Sequence, residues 1–322
     1  MGPMIKTVFF TNLPAAQAQL ITCHAPAHFR VETHATDLSD GDKSALLKEA
    51  DMLVLFPGRL SASVLQAASQ LKLIQLVSAG YEHMDLALCA QLGIPVANNG
   101  GTNAIDVAEH TLALALGLYR RLVDLDRSAR AGTWDKVAIG LETRTIHGKK
   151  LGIIGLGHIG RRVGRLFCAL GAELLYSDAI AAPTEVEREL GIRRVTLDEL
   201  VAEADIISLH VPLLPATRGL IGAAELAKMK EDAILINTCR GAVVDEEALY
   251  QALSQRRLAG AALDVFAQEP TPPDYPLMQL PNLLATPHAA GVTRDTWARR
   301  GRFVFENLQR AWDGEAPLAL IS

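Results

Sequence analysis

The sequence is poor in cysteine, and its four, Cys23, Cys89, Cys168 and Cys239, are scattered without a CxxC pair. That pattern suits a reducing compartment better than a disulfide framework, so a cytoplasmic location is expected. Long apolar runs are missing too. Leu112–Tyr119 is apolar but far too short to span a bilayer. The N-terminus carries Lys6 but no long apolar stretch, so no signal peptide is expected. There is no dense Lys/Arg block, and the formal net charge of −5 argues against a nucleic-acid surface. The nine histidines include no HExxH and no paired spacing, so no metal is expected. No tract is of low complexity.

What remains is the composition of an ordinary enzyme, 49% apolar and 21% charged. The 322 residues suffice for about two domains, each with its own core. The organising stretch is Leu151–Gly160, LGIIGLGHIG. Residues 149–154 read as a buried strand, Gly155-Leu156-Gly157 as a turn, and His158 onward to Leu170 as a helix. In that setting GxGxxG signals dinucleotide binding. Gly155 permits the tight turn, Gly157 admits a pyrophosphate, and Gly160 lets helix and strand pack closely. The amides near His158 and Ile159 then face the anion. A second apolar run, 172–177, ends at Asp178, 23 residues beyond Gly155, where an acid that holds a ribose hydroxyl belongs. Asp178 would repel a 2′-phosphate, and Arg193 and Arg194 come late in the chain to receive one. The expected cofactor is therefore NAD rather than NADP.

Upstream, residues 4–102 alternate strands and helices. Strands are expected at 5–10, 29–34, 52–56, 73–77 and 95–98, and helices at 14–21, 44–49, 63–69 and 85–91. This reads as an open parallel sheet covered on both faces, for which a flavodoxin-like winding is the usual solution. One long helix is expected from Asn103 to about Ala131, apolar around most of its circumference between Leu112 and Leu118. Residues 132–148 read as an irregular arm. Beyond the glycine turn, strands at 205–209, 233–237, 260–264 and 283–285 alternate with helices at 185–190, 197–202, 223–229 and 245–255. That is a second doubly wound sheet. A last helix, 294–313, ended by Gly314, can return to the first domain. The expected division is residues 1–102 plus 291–322 as the substrate domain and 103–290 as the dinucleotide-binding Rossmann domain.

Ligands of open α/β sheets sit beyond the carboxyl ends of strands. Arg240, Asp264, Glu269 and His288 all fall there in the second sheet. Each alone has an ordinary structural reading, but all four at the edge that carries GxGxxG point to a site. His110, on the long helix, reads as a packed or interface histidine.

The ordered motifs LGIIGLGHIG, VPLLPAT (211–217), INTCRGAVVDEEAL (236–249), ALDVFAQEP (262–270) and TPHAAG (286–291) make the chain resemble the D-isomer-specific 2-hydroxyacid dehydrogenase family. LKLIQLVSAGYEHMD (71–85) and GIPVANNGGTNAIDVAEHT (93–111) extend the likeness over nearly the whole chain. The resemblance implies two doubly wound parallel-sheet domains, flavodoxin-like and Rossmann, with a cleft between them. It also implies NAD(P)-dependent oxidoreduction and a homodimer. It makes His288 the acid/base, Glu269 its partner and Arg240 the substrate clamp, and puts Asp264 near the nicotinamide amide. Thr238, Cys239 and the run from His288 to Gly291 would line the cofactor. Backbone amides of Ser78, Ala79 and Gly80 would hold the substrate carboxylate, and His83 nearby is a further candidate for contact. The chain departs from the family in two places. Cys239 stands where serine is frequent, and the loop NNGGT at 98–102 lacks the usual proline.

The chemistry of these residue types agrees. A 2-oxo acid offers a carboxylate beside a carbonyl, and a guanidinium forks onto both. As hydride reaches the carbonyl carbon, Arg240 stabilises charge on the oxygen and protonated His288 supplies the proton. Glu269 holds the imidazole and favours its charged form. The expected partner is thus a small 2-oxo or 2-hydroxy acid such as glyoxylate or hydroxypyruvate, with no nucleic acid and no membrane. Two alternatives stand beside this. A formate- or phosphite-type dehydrogenase is disfavoured, because formate relatives pair the histidine with glutamine and phosphite relatives place lysine in the substrate loop. An NAD-sensing, corepressor-like binding protein of the same fold remains open.

Overall fold

A computed structural model describes residues 4–321 of the chain. Numbered in chain order, the first five strands are β1 Ile5–Thr11, β2 Phe29–His34, β3 Met52–Phe56, β4 Leu73–Leu76 and β5 Val96–Ala97. They form one parallel sheet in the order β2-β1-β3-β4-β5, the flavodoxin-like winding. Seven more build a second parallel sheet: β6 Lys150–Ile154, β7 Glu173–Ser177, β8 Ile192–Arg194, β9 Ile206–Leu209, β10 Ile234–Asn237, β11 Gly260–Leu263 and β12 Leu283–Ala285. Its order is β12-β11-β10-β9-β6-β7-β8. The order reverses between β6 and β9, which is where such sheets open a crevice for a ligand.

Continuous apolar strands arise because both faces of each sheet are covered. In β10, Ile234 and Ile236 join one apolar cluster and Leu235 another. In β3, Leu53 and Leu55 face one cluster while Met52 and Val54 face the other. Helix starts are set by short polar side chains: Ser61, Asp85, Asp245 and Thr293 each accept a backbone N–H of the first turn. Thr196 and Glu199 form a reciprocal capping box. Among the described residues, no helix is long and apolar enough to cross a membrane.

The chain divides into two compact units. One runs to Asn103 and resumes at Val292; the other is Ala104–Gly291. In the first, helix Arg294–Trp312 packs on helix Ala15–Thr22 and on β4. The C-terminal tail covers the edge strand: Asn98 N–H donates to Ala319 O at 3.1 Å, and Ile321 N–H to Val96 O at 2.9 Å. Such cover removes an exposed sheet edge. Fully buried Asn307 joins these parts. Its amide donates to Gln75 Oε1 (2.8 Å) and Leu318 O (2.9 Å), and its Oδ1 accepts the Leu318 N–H (2.7 Å). Gln75, also buried, donates to the carbonyls of Leu76 (2.9 Å) and Asn98 (2.8 Å).

Four sequence expectations are corrected. The single helix 103–131 is two, Ala104–Tyr119 and Leu122–Ala131, broken at Arg121 with φ of 48°. The Tyr119 carbonyl accepts the Arg144 N–H (2.8 Å) instead of continuing the ladder. Arg121 turns back to the Asp124 carboxylate (2.9 Å) and to Glu142. The arm 132–148 is not wholly irregular, since Lys136–Gly140 is helical. The helix expected at 44–49 is Asp40–Leu47, because the Ser39 hydroxyl accepts the Asp42 N–H and starts it earlier. Edge strand β8 was not expected; its pairing with β7 sets Arg194 beside Tyr176.

Asn307→Ala leaves the buried Gln75 carbonyl unpaired and removes both bonds to Leu318, so it should lower stability by about 2–4 kcal/mol. The urea midpoint should drop at unchanged slope. An unaltered midpoint would contradict the role given to this side chain.

Candidate active site

The glycine turn is set by contacts. Gly155 has φ of 94°, and a Cβ there would lie 2.6 Å from His210 O. A Cβ on Gly160 would lie 2.2 Å from Gly155 O, so helix His158–Ala169 rests directly on the turn. Gly157 is the opposite case: nothing lies within 4 Å of the Cβ position. The helix start, with the amides of His158 and Ile159, therefore opens onto free space, which a pyrophosphate requires. Asp178, just past β7, binds the turn with one carboxylate oxygen through Leu156 N–H (2.7 Å) and Ile180 N–H (3.1 Å) with the other. Arg194 donates to the Asp178 carbonyl at 2.8 Å. Strand pairing supplies this neighbour across sixteen residues of sequence; an isoleucine after Gly191 was its only signal. An open helix start beside a carboxylate at the end of the next strand fits a bound dinucleotide.

At the end of β10 the Asn237 side chain shapes a turn. Its Oδ1 accepts the Cys239 N–H (3.0 Å) and its Nδ2 donates to Arg240 O (2.9 Å). Thr238 Oγ1 lies 3.1 Å from Thr111 Oγ1. Burial pushes the Cys239 thiol up to about 11, so it stays protonated at neutral pH and packs as a small neutral group. His210, at the end of β9, has Nε2 2.8 Å from the Ser208 hydroxyl, and burial pushes it down to about 3, so it is neutral. Arg240 is half-buried, with Nη1 donating to Cys239 O at 2.6 Å.

The next loop packs against this turn with no spare room. A Cβ on Gly241 would lie 1.9 Å from the Phe266 carbonyl carbon. The same loop carries Glu269, whose Oε1 accepts the Phe266 N–H (2.9 Å) and whose Oε2 lies 2.7 Å from His288 Nδ1. Glu246 steadies the loop by accepting the Ala267 N–H at 2.8 Å. With Nδ1 engaged, Nε2 is the His288 nitrogen left for another partner. His288 adopts φ of 54°, and its N–H donates to Asp264 O at 2.7 Å. The Asp264 carboxylate is buried and accepts from the Thr286 hydroxyl (2.6 Å), Ala289 N–H (2.8 Å) and Ala290 N–H (2.9 Å). Gly291 follows and closes the unit. Sequence reasoning missed Gly241, Glu246 and Thr286, because each acts through a contact distant in the chain.

The second unit thus brings Gly155, Gly157, Gly160, Asp178, Thr238, Cys239, Arg240, Asp264, Glu269 and His288 to the carboxyl edge of one sheet. Ser78, Ala79 and Gly80 lie in the first unit, beyond β4. Ser78 Oγ donates to Gly80 O (2.8 Å), and Asn98 Nδ2 to Ala79 O (3.0 Å). The loop without the usual proline is shaped instead by Asn98 and Asn99, whose side chains accept the N–H of Gly100 and Gly101 at 3.0 Å each. His83 is exposed in the following turn. Among the described residues, no group of three or more His, Cys, Asp or Glu is placed to hold a metal ion.

This edge defines a dinucleotide-binding oxidoreductase, and comparison with known proteins narrows the class. Residues 112–290 match the model of the D-isomer specific 2-hydroxyacid dehydrogenase NAD-binding domain. The chain is 39% identical over 304 residues to a glyoxylate reductase of Korarchaeum cryptofilum, covering 92% of this chain and 90% of that one. It is also 39% identical over 251 residues to a D-3-phosphoglycerate dehydrogenase of Archaeoglobus fulgidus, 78% of this chain and 47% of that longer protein. The crystal structure of a D-isomer specific 2-hydroxyacid dehydrogenase from Lactobacillus delbrueckii ssp. bulgaricus, in its NAD-complexed form, superposes with a TM-score of 0.83. Its identity is 27%, with 98% of this chain and 100% of that one covered. The chain belongs to the D-isomer-specific 2-hydroxyacid dehydrogenase family and is an NAD-dependent oxidoreductase of that family.

Replacing Gly241 with Ala forces the Arg240 turn and the Glu269 loop apart. Displacement of this order should lower kcat/KM for 2-oxo acid reduction by about 100-fold. Stopped-flow NADH oxidation reads it, and wild-type turnover would mean that the two loops are independent.

Proposed function

We propose that the chain reduces a small 2-oxo acid, glyoxylate or hydroxypyruvate, to the D-2-hydroxy acid, and runs the reverse reaction when product accumulates. The observation that carries this is the 2.7 Å contact of Glu269 with His288 Nδ1, at the same sheet edge as Arg240. The glyoxylate reductase relative supports the substrate size. NADH supplies the hydride. Arg240 forks onto the carboxylate and carbonyl of the substrate and stabilises charge as it grows on the oxygen. His288 Nε2 delivers a proton to that oxygen, and Glu269 orients the ring through Nδ1. In oxidation, neutral His288 accepts the proton instead.

The remaining assignments are part of the same proposal. Gly155, Gly157, Gly160 and the amides of His158 and Ile159 hold the pyrophosphate, and Asp178 holds the ribose. Thr238, Cys239, Asp264 and Gly291 line the nicotinamide end, and Ser78, Ala79 and Gly80 take the substrate carboxylate. Residues 1–102 with 291–322 serve as the substrate domain and 103–290 as the dinucleotide domain, residues 1–3 and 322 lying outside the described part. The enzyme works in the cytoplasm as a homodimer. Trp134, Val137 and Leu141 support the dimer, being 73%, 67% and 84% exposed on or beside helix Lys136–Gly140.

Three tests follow from this reading. A panel of glyoxylate, hydroxypyruvate and pyruvate with NADH should show turnover, and Arg240→Ala should cut kcat/KM by about ten- to a few hundred-fold. Lys at that position should rescue poorly, since it cannot fork. Undiminished reduction by Arg240→Ala removes the clamp. The second test breaks the pair: Glu269→Gln should lower kcat/KM in both directions by about tenfold or more. Undiminished turnover, with a deuteride isotope effect present, would undo the pairing. For the third, light scattering at micromolar concentration should give twice the chain mass; a monomer argues against the dimer.

A further inference from the structure

Two successive residues of helix Ala104–Tyr119 touch two different strand ends. Thr111 is fully buried and donates its hydroxyl hydrogen to Val107 O at 2.7 Å. It can then only accept from Thr238, whose Oγ1 lies 3.1 Å away, two residues before Arg240. His110, one residue earlier, has Nε2 at 3.1 Å from Thr286 Oγ1. The Thr286 hydroxyl already gives its single hydrogen to Asp264 Oδ1 at 2.6 Å. His110 Nε2 must therefore be the donor in that pair, and it also lies 3.7 Å from Asp264 Oδ1, too far for a hydrogen bond of its own. Asp264 in turn holds the Ala289 and Ala290 amides with its carboxylate and the His288 N–H with its carbonyl.

A non-glycine residue in the left-handed region persists only where its surroundings over-determine it. His288 is such a residue, with φ of 54°. The hydrogen-bond chain from His110 through Thr286 to Asp264 ends on the three amides that follow one another through that turn. We propose that His110 is a positioning residue for His288, acting through Thr286 and Asp264, while Thr111 holds the Arg240 turn from the same helical step. The helix thereby sets the separation of the proton donor and the substrate clamp. This rests on the roles of His288 and Arg240 proposed above.

A double-mutant cycle tests it, with His110→Ala and Thr286→Val measured singly and together at saturating NADH. Because sub-ångström misplacement of a reacting group is costly, His110→Ala should lower kcat by about tenfold while NADH affinity and the thermal midpoint hold. The double variant should be no worse than either single one, since both cut one chain. His110→Gln, whose amide can replace the Nε2–H donor, and Thr286→Ser should each restore most of kcat. Additive losses, or losses that track the thermal midpoint across all five variants, overturn the proposal. Wild-type kcat in His110→Ala also overturns it. His288→Ala run in parallel separates the two failures. If His288→Ala turns over normally, the acid/base reading itself fails. If it is inactive while His110→Ala is unimpaired, only the positioning role is lost.

Discussion

A buried carboxylate held mainly by main-chain amides, with the His110 ring 3.7 Å from it, underlies the carboxyl edge of the second sheet. Asp264 is solvated by one hydroxyl and two backbone amides, the kind of partner that makes burial of a charge tolerable. Those same bonds spend the charge on geometry, because each amide belongs to the turn that carries His288. Glu269 repeats the device on a smaller scale, one oxygen on the Phe266 amide and the other on the imidazole. The His288–Glu269 pair is therefore oriented by main chain.

The close fit of Gly241 beneath Phe266 explains why the Arg240 turn and the Glu269 loop form one body. The guanidinium and the imidazole come from strand ends with an intervening strand end at β11, yet their supports share atoms in van der Waals contact. Asn237 finishes the arrangement by bonding both sides of its own turn.

Much of this was legible in the sequence, and the limits have physical causes. Apolar runs buried on two faces read directly as parallel strands, and a strand–glycine turn–helix reads as a dinucleotide site. Strand β8 escaped notice because it is three residues long and two of them are arginine. With it went the place of Arg194, which strand pairing alone brings to Asp178. The break at Arg121 was hidden because its causes lie downstream, at Asp124, Glu142 and the Arg144 amide. Asp264 was expected near the cofactor by resemblance; that its oxygens hold the His288 turn depends on contacts no local pattern encodes.

The discontinuous first unit has a consequence for synthesis. Gln75 sits in β4, beside edge strand β5, and the Asn307 side chain that bonds it is 232 residues further along the chain. While the ribosome is still making the segment between them, β4 holds a buried amide that lacks this partner, and edge strand β5 lacks its covering tail. The second unit is contiguous and can close as soon as Gly291 emerges. The nascent chain should thus complete its middle before its beginning. Strands β1 to β5 then wait as an open, apolar-edged sheet, the stage at which a chaperone would find most to hold.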